Sequence, residues 1–316
     1  MNYYKPAAAI LATALAAPFA ALAGPVVGFD PTGMGAYTVR ADLWTNITDT
    51  AVVNGFQTGA TVGGPGGIAP YVTDLHTQTR VGVMSNSNNG TIVTPAGLNG
   101  TFELTKVVRF QETVTSQNAT TATFGMAAQS AAMDVDATRA GVQNFAVYFD
   151  RVRPGGSSSV AVPGNGVDTV RCYGAGVTGG VANGCGVGGG DTDGDGIMIM
   201  SGHLVFNAAS FTSSGGNVGT GSFDTRFIID YVDPAYLDIV TGSVIQDKFT
   251  GTTNVPSFFT PTSMWDGATP TSVPFLKVDS SQSFGAAVPE PGTVALIGLG
   301  LAGLALGKRR KTNASA

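Results

Sequence analysis

The chain has 316 residues, a formal net charge of −5 and 12% charged residues, about half the usual share near 25%. Segments 1–23 and 292–316 hold five cations and no carboxylate, so the 11 remaining cations face 21 carboxylates, a formal charge of −10. So acidic a body argues against nucleic-acid binding through phosphates, which needs clustered Lys and Arg. Its 45 Gly and abundant Thr, Ser, Asn and Val point to all-β structure with many turns rather than to disorder.

At the N-terminus Lys5 precedes an apolar run from Ala7 to Ala17, and Ala21-Leu22-Ala23 stands before Gly24. A cation, a short apolar region and a small-residue site are the parts of a secretory signal peptide. Residues 1–23 are read as one, with signal peptidase cutting between Ala23 and Gly24. The body is then residues 24–279.

Strand signals open the body at Tyr37 to Leu43 and recur at Thr79 to Met84. Between them Gly63-Gly64-Pro65-Gly66-Gly67 reads as a loop. His76 sits among Asp74, Thr77 and Gln78 and reads as a surface residue. Asn46-Ile47-Thr48 and Asn118-Ala119-Thr120 match the glycosylation sequon, a match that short polar sequences produce by chance. From Thr101 to Val114, Phe102, Leu104, Val108, Phe110 and Val114 share one parity, while Glu103, Thr105, Arg109, Gln111 and Thr113 share the other. That is a half-buried strand, with Lys106 as the exception. Phe145, Val147 and Phe149 repeat the pattern.

A Gly-rich insertion follows, from Gly155 to Gly196. Cys172 and Cys185 lie inside it, and an even cysteine count in an exported chain predicts a disulfide. It would close a loop of 14 residues and contribute roughly 3 kcal/mol in the chain-entropy picture. Gly174-x-Gly176-x-x-Gly179 and Gly184-x-Gly186-x-x-Gly189 fit the dinucleotide fingerprint literally, but neither opens a helix, and the fingerprint works through a helix N-terminus. Asp191, Asp193 and Asp195 alternate before Gly196, like the first half of a calcium loop. The twelfth position is Gly202 instead of a bidentate Glu, so either calcium or a solvated acidic turn is open here, with Asp224 or Asp230 as further ligands.

Met198, Met200, Leu204 and Phe206 form the next alternating set, then Phe227, Ile229 and Tyr231, with shorter strands at Val244 to Phe249 and Phe275 to Val278. His203 has the opposite parity, with Ser201 and Asn207, and is expected to face solvent. Antiparallel strands of uneven spacing predict a β-sandwich carrying the Gly-rich insertion. Nucleophilic and zinc chemistry lack their residues, since His76 and His203 are the two histidines and no G-x-S-x-G occurs. No catalytic residue is assigned and the chain is read as a non-enzyme. A polysaccharide hydrolase would need two carboxylates about 5–10 Å apart. A carbohydrate-binding module would need exposed aromatics, for which Trp44, Tyr71, Tyr173 and Trp265 are candidates.

Residues 280–287 read as a linker to the tail, residues 288–316. Val288-Pro289-Glu290-Pro291-Gly292 precedes an apolar segment ending at Gly307, and Lys308-Arg309-Arg310-Lys311 follows. An apolar run ended by cations halts in a membrane with its charges on the cytoplasmic side. As a helix it would measure about 24 Å at ~1.5 Å per residue, short of a bilayer core of about 30 Å. That length suits a temporary hold better than a permanent anchor. The tail resembles the PEP-CTERM sorting signal of Gram-negative bacteria. The resemblance implies transient inner-membrane insertion and exosortase cleavage near Pro289-Glu290-Pro291, which would release or re-attach the body at the cell surface, the outer membrane or the extracellular matrix.

The body is similar to the flocculation-associated PEP-CTERM proteins, on three short stretches. They are Phe29-Asp30-Pro31-Thr32-Gly33-Met34-Gly35-Ala36-Tyr37, Gly97-Leu98-Asn99-Gly100-Thr101-Phe102-Glu103-Leu104, and Asp195-Gly196-Ile197 through Ser201-Gly202. This resemblance implies a matrix protein that works with exopolysaccharide in floc or biofilm formation. Unpaired edge strands would offer one route to cohesion.

Overall fold

Period-two alternation becomes strands throughout the computed structural model, which describes residues 25–57, 59–99, 101–136, 138–151, 197–214, 218–254, 275–278 and 280–285. A small sheet joins β1 (Val27–Phe29), β2 (Val39–Ala41) and β11 (Leu237–Asp238) in the order β11-β1-β2. The large sheet holds eleven strands. Its first half is β3 (Leu43–Asn54), β4 (Tyr71–Asn86), β5 (Thr91–Ile92), β6 (Phe102–Gln117), β7 (Thr121–Met126) and β8 (Phe145–Arg151). Its second half is β9 (Ile197–Ser213), β10 (Val218–Val232), β12 (Val244–Asn254), β13 (Phe275–Val278) and β14 (Ser281–Gly285).

The pairing runs full circle. In chain order β3 pairs β4, β4 pairs β6, and β6 pairs both β7 and β8, which lie end to end. Both then pair β9, β9 pairs β10, and β10 pairs β12. β13 and β14, also end to end, pair β12 and return to β3. All of these contacts are antiparallel, so the sheet is an up-and-down meander closed on itself. The expected sandwich packing is present, because opposite walls touch: Lys106 on β6 reaches Asp247 on β12, and Phe110 on β6 meets Phe227 on β10 at 6.3 Å. Every long strand has a partner on both sides, so the large sheet offers no long free edge among the described residues, contrary to the edge-strand expectation.

One core fills the ring. Phe102, Leu104, Val108, Phe110 and Val114 are buried as their parity requires, and Phe145, Val147 and Phe149 join them. Lys106 obeys the same parity and lies inside. Trp44 is also interior, its ring 5.0 Å from Phe284. Part of the outer wall is polar and faces solvent, as in the Thr115–Thr123 and Ser210–Ser222 contacts, but Glu103, Thr105 and Val107 on the outward side of β6 are buried as well, so this stretch is covered on both faces and not half-buried as its alternation predicts. No helix among the described residues is long and apolar enough to cross a membrane.

Three expectations fail for geometric reasons. Leu204 pairs Phe227 while Phe206 pairs Arg226, so Val205 is an extra residue and faces switch there. Phe206 therefore points outward, with the Arg226 guanidinium 4.8 Å from its ring, and Asn207 points inward. His76, read as a surface residue, is 7% exposed. Residues 281–285, read as linker, form β14 and help close the ring.

The small sheet caps one end. Phe29 sits 6.5 Å from Trp44, 6.0 Å from Phe102 and 6.3 Å from Phe149, ring to ring. After Phe29 the chain turns around the buried Asp30 carboxylate, which accepts from Thr32 N (2.8 Å), Thr32 Oγ1 (2.7 Å), Met34 N (2.9 Å) and Ala36 N (2.8 Å). Burial alone would raise this acid, but the four hydrogen bonds outweigh burial and hold it down at about 2. Gly33 has φ 71°, and a Cβ there would lie 2.8 Å from the Tyr236 ring. The Tyr37 hydroxyl donates to the Pro234 carbonyl. The Phe29 to Tyr37 stretch is thus a latch onto the 233–237 corner. Asp30→Ala strands three backbone donors and is expected to cost about 2–4 kcal/mol. An unchanged melting temperature would refute the latch.

Candidate functional site

The slot shared by β7 and β8 is broken. The chain leaves the ladder after Met126 and returns at Phe145, while β6 and β9 run on past the gap. Side-chain amides stand in for the missing backbone. Gln129 accepts from Gln111 N and donates to Gln111 O, both at 2.8 Å. Asn144 donates to Arg109 O at 3.0 Å and accepts from Leu204 N at 2.9 Å. These bonds satisfy ladder groups that burial would otherwise penalise.

The excursion is internally braced. Asp134 Oδ1 accepts from Asp136 N (3.0 Å) and Gln143 N (3.1 Å). Asp136 accepts from Ser201 Oγ at 3.2 Å and pairs with Arg139 at 3.4 Å. The Arg139 guanidinium lies 3.8 Å from the Tyr231 ring centre, within cation–π range. Burial, then the Asp136 carboxylate, pushes the Tyr148 hydroxyl up to about 12, so it stays protonated.

A second bulge sets the wall beside the excursion. Ile229 pairs Gly202 and Tyr231 pairs Ser201, which makes Asp230 the extra residue. Bulges re-aim side chains, and this one turns Tyr231 away from the face of Phe227 and Ile229 that its spacing predicts. Asp230 Oδ2 lies 2.6 Å from His203 Nδ1. The two side chains are 32% and 40% exposed, so the expectation that His203 faces solvent holds. They border a cavity of about 440 Å³ whose other walls include Gln129, Val142, Gln143, Asn144 and Leu204. The Gln143 side chain is buried, and its Oε1 has no partner among the described residues. Asp230 is the single carboxylate among the described residues of this wall.

The other candidates scatter. Asp224 is bound to Arg226 Nη2 at 2.9 Å and Gln246 at 2.7 Å. Burial alone would push this carboxyl up, but these hydrogen bonds and the nearby Arg226 and Lys248 cations hold it below the usual carboxylate range. Trp44 is wholly buried, which removes it as a binding aromatic. The Tyr71 hydroxyl is occupied by Gln57 N and Gln117 Oε1. Asn46 is buried against Ser280, and Asn118 caps a turn at Thr120 and Thr121. Ala23, Gly24, Cys172, Tyr173, Cys185, Asp191, Asp193, Asp195, Trp265, Pro289 to Pro291 and Lys308 to Lys311 lie outside the described residues. Gln129, Gln143 and Asn144 escaped sequence reasoning, because an amide that completes a ladder looks like any loop amide. The available signal was Asp134-x-Asp136-x-Thr138, a run of turn-forming residues ahead of a strand.

No curated protein and no solved structure matches the chain. Residues 287–311 match the family model of the PEP-CTERM protein-sorting motif. The match covers the Pro-Glu-Pro word, the apolar segment and the basic end together. The chain is accordingly a PEP-CTERM domain-containing protein, marked for exosortase and for export through the membrane of a Gram-negative cell.

Proposed function

We propose that this chain is a non-enzymatic surface or matrix protein that supports flocculation or biofilm cohesion with exopolysaccharide. Signal peptidase removes residues 1–23 during export. The apolar tail then holds the body in the inner membrane until exosortase acts at Pro289-Glu290-Pro291. The sorting motif at 287–311 is the observation that carries this reading. The body supports it too: a closed, latched meander with few charges is a durable module for life outside the cell. Because its long strands are paired on both sides, cohesion comes from outer-face contacts rather than from strand addition.

Deleting the gene in its native bacterium is expected to disperse flocs. Wild type should restore them, and a Pro289→Ala, Glu290→Ala, Pro291→Ala triple variant should not, its product accumulating in the inner-membrane fraction. Intact flocs in the deletion strain would overturn the matrix role. Normal surface delivery of the triple variant would overturn the processing step.

A further inference from the structure

We propose that the capped end of the ring is a membrane-docking face, seated on the outer leaflet of the inner membrane while the sorting tail is inserted. This rests on the tail's hold in the membrane proposed above. Register fixes where the tail departs. β14 ends at Gly285, which pairs Val244 at the start of β12, and Ser283 pairs Leu43 at the start of β3. Leu43 also pairs Ser85 near the end of β4, Arg151 pairs Phe102, and Phe149 pairs Ile197. These residues lie on one rim, the rim that the small sheet covers through Phe29. The tail therefore leaves from the capped end.

The tether is short. Residues 286–291 separate β14 from the apolar segment, and they reach at most about 22 Å fully extended. β6 has 16 residues, about 50 Å at ~3.3 Å per residue. A strand tilt of about 35–45°, usual in a closed sheet, still leaves the body longer than the tether. The opposite rim thus cannot touch the bilayer that holds the tail. Apolar exposure concentrates at the end that can. Among the described residues the three most exposed large apolar side chains are Met34 (86%), Ile92 (70%) and Val240 (66%). Met34 sits on the latch, where Gly35 N donates to Ala235 O at 3.0 Å. Ile92 pairs Ser85 on the rim, and Val240 accepts from Ser243 N just before β12. The half-exposed Arg40 and Asp238 of the small sheet pair at 3.2 Å, so their charges cancel. Single exposed apolar residues are ordinary, but a set gathered at the membrane-proximal end marks a contact surface. The tail makes this contact intramolecular, so a weak one suffices. Cleavage at Pro289-Glu290-Pro291 removes that advantage and lets the body go.

The test uses the full-length chain in nanodiscs of phosphatidylethanolamine and phosphatidylglycerol carrying a phospholipid with a photoreactive headgroup. Mass spectrometry maps the lipid adducts. They are expected on the tail and at Met34, Ile92 and Val240, at least fivefold above Val72 near the opposite rim and Phe206 on the outer wall. Met34→Ser, Ile92→Ser and Val240→Ser together are expected to cut the body's adducts at least fivefold, at unchanged melting temperature and with tail adducts intact. A labelled tail with a body labelled evenly, labelled mainly at Val72 or Phe206, or indifferent to the three substitutions would overturn the docking face and leave the tail's hold standing. An unlabelled tail would overturn both. A dimer in each disc, lost in the variant, with no lipid adduct on the body would give the face to a second copy and overturn the proposal.

Discussion

Lys106→Met alone is expected to destabilise the body by about 3–5 kcal/mol, while Lys106→Met with Asp247→Leu is expected to be neutral or stabilising. Lys106 sits on the apolar face of β6, between Leu104 and Val108, with 2% of its side chain exposed. Its ammonium crosses the core to the Asp247 carboxylate and lies 5.8 Å from the Phe227 ring. Taking two charges from water costs several kcal/mol each, and their attraction only offsets that cost. The single variant leaves Asp247 charged and buried, with Oδ1 already lacking a partner among the described residues. The double variant removes both charges and keeps the volume. Equilibrium denaturation of the two variants is the check. A single variant within about 1 kcal/mol of wild type would mean that water reaches the pair.

The second large effect is a fall in stability as pH rises through neutrality. Glu112 lies inside the ring, wholly enclosed, and burial pushes its carboxyl up from 4.5 to about 7. A hydrogen bond from Asn207 at 3.1 Å opposes burial without cancelling it. Thr225 in turn donates to Asn207 at 2.9 Å. With the folded value above the unfolded one, the native state holds the extra proton between pH 4.5 and 7. Stability is therefore full below that window and lost across it, by about 3 kcal/mol from this group. Glu112→Gln mimics the protonated form, and its melting temperature should stay nearly level from about pH 5 to about pH 8. The same downward slope in the variant would assign the effect elsewhere. Asp30 acts in the opposite sense at lower pH: its depressed carboxyl gives stability that is present above 3.8 and lost as pH falls toward about 2.

The sorting tail could be read from residues alone, because its chemistry is contiguous: a short word, an apolar length and a basic stop follow one another in the chain. All-β character was legible for the same reason. Alternation within β6 or β8 depends only on near neighbours and on which face is buried. Lys106 shows where that logic stops. Its position on the apolar parity was visible, but the carboxylate that neutralises it lies 141 residues away. Ring closure was beyond reach too, since the return of β14 to β3 joins Gln282 to Trp44 across almost the whole body. Two single-residue bulges, at Val205 and Asp230, reverse the faces of Phe206, Asn207 and Tyr231. A bulge leaves little mark on composition and is fixed by the register of the neighbouring strand. The pocket needed both features at once: an interrupted slot filled by Gln129 and Asn144, and a bulge that places Asp230 beside His203. Local patterning thus determined the strands and the export signal. Long-range pairing and register decided what those strands enclose and which side chains meet.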